Sequence, residues 1–299
     1  MKLLITGSEG FIGSALKCML EQINIEIISY DIRENPKDNI RDLDRLEAKM
    51  ENIDGVIHLA AVSRVKIAQE NPLKCIQTNI GGTSNVLEVA RKGSKNYPWV
   101  VFGSSREVYG ESPFLPVTED SPRKSINIYG ISKVTGEDIC KIYSTHYGVK
   151  TRVLRFSNVY TGIRDQLDRV IPKFIIQALN DEDLIINGSG NEQFDFTYIE
   201  DTVQGIYACI QEISKSDIPF DVYNISSGIP ISLKELARLI IEKTRSHSQI
   251  KFSKSRSYDV SKFYAKPTKA EEKLGFKTKV TLNEGLDLAI KELKKLKIK

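Results

Sequence analysis

Residues 3–16 read LLITGSEGFIGSAL, an apolar run followed by a glycine turn and the start of a helical pattern. The spacing of Gly7, Gly10 and Gly13 permits a tight turn, close backbone approach to a phosphate, and close packing of helix on strand. A pyrophosphate would lie at the helix N-terminus, where free N–H groups favour anions. A tight strand-to-helix turn also needs glycine when it binds nothing, so the motif requires support from its context.

That support comes from a second apolar stretch, residues 25–30, which ends at Asp31, eighteen residues after Gly13. A dinucleotide-binding fold places an acid here to bind the adenosine ribose. A carboxylate at this position repels the 2′-phosphate of NADP, so Asp31 indicates NAD as the cofactor. Arg33 is a basic group that softens this preference, and the alternative is that Asp31 is only a polar loop residue.

The composition is that of a globular protein with one large or two medium domains: 299 residues, 40% hydrophobic, 27% charged and a net charge of +4. The longest apolar runs are too short for a membrane span, and we expect a cytoplasmic protein without a signal peptide. The basic run at 291–299 predicts a solvated helix end rather than a nucleic-acid site. Four scattered cysteines and three histidines predict no metal site and no disulfide framework.

Strand patterns at 55–61 and 99–102 alternate with a helical pattern at 79–90. This alternation predicts an α/β fold with a Rossmann-type, doubly wound parallel sheet. Small residues at the end of the first of these strands, Ala60 and Ala61, would let a cofactor lie against the backbone. His58, inside that strand, is predicted to be a packed core residue rather than a catalyst.

A group of polar side chains follows the strand that ends near Phe102. Ser105 and Glu107 come at its carboxyl end, where such sheets bind ligands, although a serine pair at a strand end is often turn chemistry. Tyr129 and Lys133 are four residues apart on a predicted helix and therefore share a face. An ammonium beside a phenol lowers the pKa of the phenol, which would make Tyr129 a usable base.

Together, the glycine turn, the hydroxyl group of Ser105 and the Tyr-x-x-x-Lys motif resemble the extended short-chain dehydrogenase/reductase family, and within it the nucleotide-sugar epimerases and dehydratases. The resemblance covers nearly the whole chain, from residues 6–13 to the segment 273–276. It implies that Ser105, Tyr129 and Lys133 are a catalytic triad, with Tyr129 taking the proton of the sugar 4-hydroxyl and Lys133 also holding the nicotinamide ribose.

By position, the resemblance implies two sets of binding residues. The predicted NAD contacts are Gly7, Gly10, Phe11, Ile12, Gly13, Asp31, Asp42, Leu43, Ala60, Ala61, Asn79, Tyr129 and Lys133. The predicted nucleotide-sugar contacts are Ser105, Asn158, Phe174, Phe194, Arg256 and Asp259. A homodimer through the helices near 83–92 and 130–146 is also implied.

Position 194 departs from the family pattern, which usually has an arginine there to clamp the diphosphate of the substrate. Phe194 cannot make that bidentate contact. Either another basic residue such as Arg164 or Arg169 substitutes for it, or the substrate differs. The identity of the nucleotide therefore stays open.

We expect an NAD-binding domain over residues 1–157, to which part of 194–228 returns, and a smaller, mixed α/β substrate-binding lobe over 158–299. Near the end of the returning segment, Tyr223 to Gly228 predict a last strand and turn. Ser232 and Glu235 then form the pattern of a helix capping box.

The leading functional prediction is an NAD-dependent 4-epimerase that forms a transient 4-keto sugar. Because of Glu107, a 4,6-dehydratase or a decarboxylase activity remains an alternative, since such enzymes resemble this chain in having a carboxylate two residues after the catalytic serine. Arg106 replaces the acid that 4,6-dehydratases have beside that glutamate, and a salt bridge with Arg106 is the alternative role for Glu107. A non-catalytic NAD-binding relative is disfavoured by the intact triad, and an RNA-binding relative by the mixed charge pattern.

Overall fold

The computed structural model describes residues 1–93 and 98–296, so the last three residues of the basic run at 291–299 lie outside the described residues. The strands of the described chain are β1 Lys2–Thr6, β2 Glu26–Tyr30, β3 Gly55–His58, β4 Trp99–Ser105, β5 Thr151–Phe156, β6 Asn158–Tyr160, β7 Leu184–Asn187, β8 Gln193–Tyr198, β9 Phe220–Ile225, β10 Pro230–Ser232, β11 Ile250–Ser253 and β12 Lys262–Phe263. The helices are α1 Phe11–Gln22, α2 Leu43–Lys49, α3 Val65–Glu70, α4 Pro72–Ile76, α5 Gly82–Lys92, α6 Ile128–Tyr147, α7 Val170–Leu179, α8 Ile199–Ile213, α9 Leu233–Thr244, α10 Thr268–Leu274 and α11 Leu282–Leu293.

The central sheet has six strands in the order β2-β1-β3-β4-β5-β9, and all five pairings are parallel. Its strand order reverses between β1 and β3, which is the switch point where such sheets bind ligands at their carboxyl ends. The predicted doubly wound α/β fold is confirmed. The sixth strand, β9, comes from the second half of the chain and lies beside β5.

Strand periodicity divides the core between the two faces of this sheet. Leu3 and Ile5 of β1 pack in one cluster and Leu4 packs in the other, because successive strand side chains point to opposite faces. The same division holds in β4, where Val101 lies on the first face and Phe102 on the second. Both faces are therefore covered, as a buried parallel sheet requires.

A second, smaller sheet is centred on β8. This strand pairs in parallel with β6 and β12 and antiparallel with β10, while β7 and β11 form a separate parallel pair. The register of β8 and β12 places Phe194 beside Phe263. The capping box of α9 is confirmed, since Ser232 Oγ accepts from the N–H of Glu235 and Glu235 Oε2 accepts from the N–H of Ser232.

The predicted helix beginning at Asn79 starts differently: residues 77–81 form a π-helical turn that continues directly into α5.

Among the described residues, no helix has the length and apolar character needed to cross a bilayer. In the same part of the chain, no group of three or more His, Cys, Asp or Glu could hold a metal ion.

Candidate active site

The glycine turn joins β1 to α1 in the geometry that close backbone packing requires. Gly7 has φ +74°, and a Cβ there would lie 2.8 Å from the backbone nitrogen of Ala60. A Cβ on Gly13 would overlap the carbonyl oxygen of Gly7. The turn is closed by a hydrogen bond of 3.0 Å from the Gly10 N–H to the Gly7 oxygen. Side chains at these positions would separate the helix from the strand, so glycine is needed.

The N-terminus of α1 fits an anionic ligand. Gly10 is its N-cap, and no side chain of the described residues caps the helix, so its first N–H groups remain available. In the same turn, the hydroxyl group of Ser8 is buried without a hydrogen-bond partner among the described residues. These donors match the oxygens of a pyrophosphate, which supports the NAD prediction for this turn.

Asp31 lies against the glycine turn at the carboxyl end of β2. Its Oδ2 accepts from the Glu9 N–H at 3.0 Å and its Oδ1 accepts from the Arg33 N–H at 2.8 Å. Arg33 folds back and donates to the carbonyl oxygen of Glu9 at 3.0 Å. Each carboxylate oxygen retains acceptor capacity for a ribose hydroxyl. The bonds fix the carboxylate beside the glycine turn, where it is predicted to repel a 2′-phosphate.

The remaining predicted cofactor residues fall into two groups. Asp42 caps α2 and faces an open depression with Arg41 and Arg45, while Leu43 packs on the core. Ala60 and Ala61 follow β3 beside the glycine turn, and Phe11 and Ile12 begin α1.

Asn79 is held by other parts of the chain. It is 2% exposed, and its side chain accepts from the Val62 N–H at 2.8 Å and donates to Ser132 Oγ at 2.9 Å. The amide thus positions Val62 and α6, and its location near the nicotinamide stays a prediction. His58 is a core residue as predicted, held between Thr6 and Thr83, and burial lowers its pKa to about 3.

Ser105, Tyr129 and Lys133 come together at the carboxyl end of β4. Tyr129 and Lys133 lie one turn apart on the buried face of α6, and the Ser105 side chain lies near enough to Tyr129 to lower its pKa. The Lys133 ammonium donates to the Gly103 carbonyl oxygen at 2.7 Å and lies 5.9 Å from the centre of the Tyr129 ring. The predicted cluster is therefore present in the folded chain.

The predicted lowering of the Tyr129 pKa by Lys133 is wrong for this structure. Burial is the largest influence on the pKa of Tyr129; together with the charge of Glu107 it outweighs the lowering by Ser105 and raises this pKa to about 12. The ammonium of Lys133 lies over the ring and is bonded to Gly103, so it does not offset burial. Burial also lowers the pKa of Lys133 itself, to about 8.

A buried network beneath this cluster holds its elements together, and sequence reasoning did not identify it. Arg155 of β5 pairs with Glu137 of α6 at 2.7 Å, and Glu137 also accepts from Ser104 of β4. Arg155 donates to the hydroxyl group of Tyr109 at 2.8 Å. Removing one partner of such a buried pair costs about 3–5 kcal/mol, so the network fixes Ser105 relative to α6.

Next to the cluster is a cavity of about 280 Å³ between the central sheet and the second sheet. Five of the six predicted substrate residues line it together with Glu107, namely Asn158, Phe174, Phe194, Arg256 and Asp259, whereas Ser105 is not among the lining residues. Basic residues that line it are Arg64, Arg106, Arg169, Lys173 and Arg256. Of the two proposed substitutes for the missing arginine, Arg169 lines the cavity and pairs with Asp165, whereas Arg164 is exposed outside it.

Glu107 is 5% exposed and both of its carboxylate oxygens are occupied. Oε1 pairs with Arg106 Nη2 at 2.8 Å, and Oε2 accepts from Asn127 Nδ2 at 2.8 Å. Each carboxylate oxygen can accept more than one hydrogen bond, so these contacts fix the position of the group without using all of its acceptor capacity. The salt bridge with Arg106 is present in the structure, and a role of Glu107 in acid/base chemistry stays a prediction.

Sequence and structure comparisons agree with this geometry. The sequence model of the NAD dependent epimerase/dehydratase family matches residues 3–226. The chain belongs to this family. A putative UDP-glucose 4-epimerase of Methanocaldococcus jannaschii is 33% identical, with 98% of each chain covered.

Solved structures of the family superimpose over nearly the whole chain. The UDP-glucose 4-epimerase of Thermotoga maritima with UDP-glucose is 29% identical, with a TM-score of 0.90 and 99% of each chain covered. The UDP-glucuronic acid 4-epimerase of Bacillus cereus with UDP-glucuronic acid and NAD is 26% identical, with a TM-score of 0.88 and 99% of this chain and 100% of that chain covered. The chain is an NAD-dependent enzyme of this family.

Asp31 gives the first testable prediction, that the protein binds NAD at least about tenfold more tightly than NADP, or about 1.4 kcal/mol. The reason is repulsion between the carboxylate and a 2′-phosphate. Titration calorimetry with both cofactors measures the difference, and Asp31→Asn should narrow it by removing the charge. Equal or tighter binding of NADP by the unsubstituted protein would contradict the assignment.

Proposed function

We infer that this chain is an NAD-dependent nucleotide-sugar 4-epimerase that works through a transient 4-keto sugar. The observation that supports this inference is that a cofactor-type glycine turn and the Ser105–Tyr129–Lys133 cluster lie at the same edge of the central sheet. Arg106 and Glu107, which directly follow Ser105, line a cavity of about 280 Å³.

In the proposed mechanism, Tyr129 takes the proton of the sugar 4-hydroxyl, and Ser105 shares the hydrogen bond to that oxygen. Bound NAD supplies the group that accepts hydride from C4 and returns it to the other face of the ring. Lys133, fixed by the Gly103 carbonyl, orients the nicotinamide ribose and contributes positive charge near the phenol. Tyr129 can take this proton only as a phenolate, and burial favours the protonated phenol in the free chain. The phenol proton would have to leave to solvent first, which the positive charges of Lys133 and of the nicotinamide of bound NAD would favour.

The alternative activities are a 4,6-dehydratase or a decarboxylase that uses Glu107 as a further acid/base. Its support is that Glu107 is buried in the cavity wall, two residues after Ser105. Against it, each carboxylate oxygen is already held by a protein donor, Oε1 by Arg106 and Oε2 by Asn127, and these contacts direct the group toward the protein. The geometry therefore favours epimerisation. A non-catalytic NAD-binding relative would have no need of the assembled cluster.

The test is incubation with a panel of nucleotide sugars in heavy water, followed by mass spectrometry and NMR. We expect a product of unchanged mass, with no solvent deuterium on carbon, and an active Glu107→Gln variant. Loss of water with deuterium at C5 would establish a dehydratase, and loss of carbon dioxide a decarboxylase. The epimerase assignment would be overturned if the protein catalysed either of these losses and Glu107→Gln lost that activity but still transferred hydride to NAD.

The residue assignments follow from this function. We propose that the turn at 7–13 and Asp31 hold the pyrophosphate and adenosine ribose, and that Asp42 and Leu43 lie at the adenine. Asn158, Phe174, Arg256 and Asp259 are proposed to contact the nucleotide sugar. Residues 1–157 with β9 would form the NAD-binding domain, and most of 158–299 the substrate lobe.

We also propose a homodimer through α5 and α6. Three apolar side chains of α6 are exposed: Ile131 at 50%, Ile142 at 50% and Tyr147 at 47%. Ile131 and Ile142 are eleven residues apart, or about three turns, and so lie on one face. A buried dimer contact would explain this apolar face, and light scattering on the purified protein measures the mass.

A further inference from the structure

Arg106 lies in the cavity wall immediately after Ser105, with its side chain 16% exposed. Its Nε donates to Asn158 Oδ1 at 3.0 Å, and its Nη2 pairs with Glu107 Oε1 at 2.8 Å. Two polar groups from different elements thus hold one edge of the guanidinium. The planar group is fixed at the reacting end of the cavity before any substrate arrives.

The other end of this guanidinium has no acceptor. Arg106 Nη1 is buried and has no hydrogen-bond partner among the described residues. The guanidinium carbon lies 4.9 Å from the centre of the Phe194 ring and 5.7 Å from that of Phe263. Aromatic faces stabilise a guanidinium without using its N–H donors. The stacking therefore leaves donors for an incoming ligand.

The other arginines of the cavity are held in different ways. Arg256 is 44% exposed, and its Nε lies 3.9 Å from Asp259 Oδ2. Arg64 binds both oxygens of Asp168, each at 2.6 Å, and Arg169 pairs with Asp165 at 3.2 Å. Arg106 shares its carboxylate partner, because Glu107 also accepts from Asn127. Arg106 is the arginine that combines a fixed position, an unused buried donor and direct adjacency to Ser105.

Phe194 connects this arrangement to the departure from the family pattern. The residue that stands where an arginine is expected provides the aromatic surface on which Arg106 stacks. The guanidinium at this place in the cavity therefore comes from the segment after Ser105 and not from β8. This difference in origin changes which oxygens of the substrate the charge can reach.

We propose that Arg106 binds an anionic oxygen group of the nucleotide sugar in place of the arginine missing at position 194, and so determines substrate specificity. This rests on the proposed function. Two parts of a substrate carry that chemistry: the sugar-proximal phosphate and a carboxylate on the sugar ring. Both accept a bidentate bond from a planar guanidinium.

The experiment is titration calorimetry of the NAD-loaded protein with UDP, UDP-glucose and UDP-glucuronate, for the unsubstituted chain, Arg106→Gln and Arg106→Lys. Arg106→Gln should weaken binding at least tenfold. An equal loss for all three ligands identifies the phosphate, and a loss confined to UDP-glucuronate identifies the carboxylate. Arg106→Lys keeps the charge without the planar fork and should recover only part of the affinity.

Two further variants keep the test decisive. Arg238→Gln removes one exposed charge outside the cavity and should bind as the unsubstituted chain does. Glu107→Gln removes the carboxylate that pairs with Arg106 and should strengthen binding of the same anionic ligand. This variant tests the proposal even if thermal melting shows that Arg106→Gln is poorly folded. Unchanged affinity of folded Arg106→Gln for all three ligands would overturn the proposal alone. Failure of the unsubstituted chain to bind any of them would overturn the proposed function as well.

Discussion

Replacing Tyr129 with phenylalanine is expected to lower kcat at least about 100-fold, or about 2.7 kcal/mol of transition-state stabilisation, while substrate affinity changes little. The substitution removes only the hydroxyl group that takes the C4 proton. The ring is 8% exposed and packs against Ala68 and Cys75, so the wall it forms remains. Steady-state kinetics and calorimetric binding of the nucleotide sugar separate the two quantities.

A matched control is Tyr147→Phe on the same helix. Tyr147 is 47% exposed and lies at the far end of α6, so loss of its hydroxyl group should leave kcat unchanged. Near-normal turnover in Tyr129→Phe would remove Tyr129 from the mechanism. An equal loss of affinity and turnover would instead indicate that the hydroxyl group serves binding.

Features that depend on a few neighbouring residues were predictable from the sequence. The glycine turn, Asp31 at the end of the second strand and the Tyr129/Lys133 spacing follow local rules of backbone geometry and helix periodicity. The capping box at Ser232 is of the same kind. The alternation of strands and helices then determined the parallel sheet, because crossover connections leave few topologies.

Features made by distant residues were not predictable in this way. Arg106 meets Asn158, Phe194 and Phe263, which come from β6, β8 and β12. Motif spacing carries no information about those meetings. The prediction that the pKa of Tyr129 is lowered failed for a related reason. The i, i+4 rule places Lys133 nearby, but burial of the hydroxyl group by other elements outweighs that charge.

Replacing Gly13 with alanine is expected to weaken NAD binding at least about 100-fold, or about 2.8 kcal/mol, and to lower stability by about 1–3 kcal/mol. The added Cβ would overlap the Gly7 oxygen and lie 2.9 Å from the Gly7 carbonyl carbon and 3.0 Å from Ser8 Cα. All of these are backbone atoms, so no side chain can rotate away. The start of α1 must move from the turn, and its N–H groups leave the position that a pyrophosphate needs.

Gly81→Ala is the matched control for stability alone, because a Cβ at Gly81 has no atom within 4 Å among the described residues, whereas Gly81 lines the depression that Asp42 faces. Gly81 has helical dihedral angles, φ −60° and ψ −45°, so alanine there should keep or slightly raise the melting temperature. Calorimetry with NAD and thermal melting measure both variants. If Gly13→Ala binds NAD normally, the turn at 7–13 serves only to pack the helix on the strand, and other residues must bind the cofactor. A second outcome is that the melting temperature of Gly13→Ala falls but a low concentration of NAD restores it. In that case the helix N-terminus has not moved, and the pyrophosphate binds elsewhere in the turn.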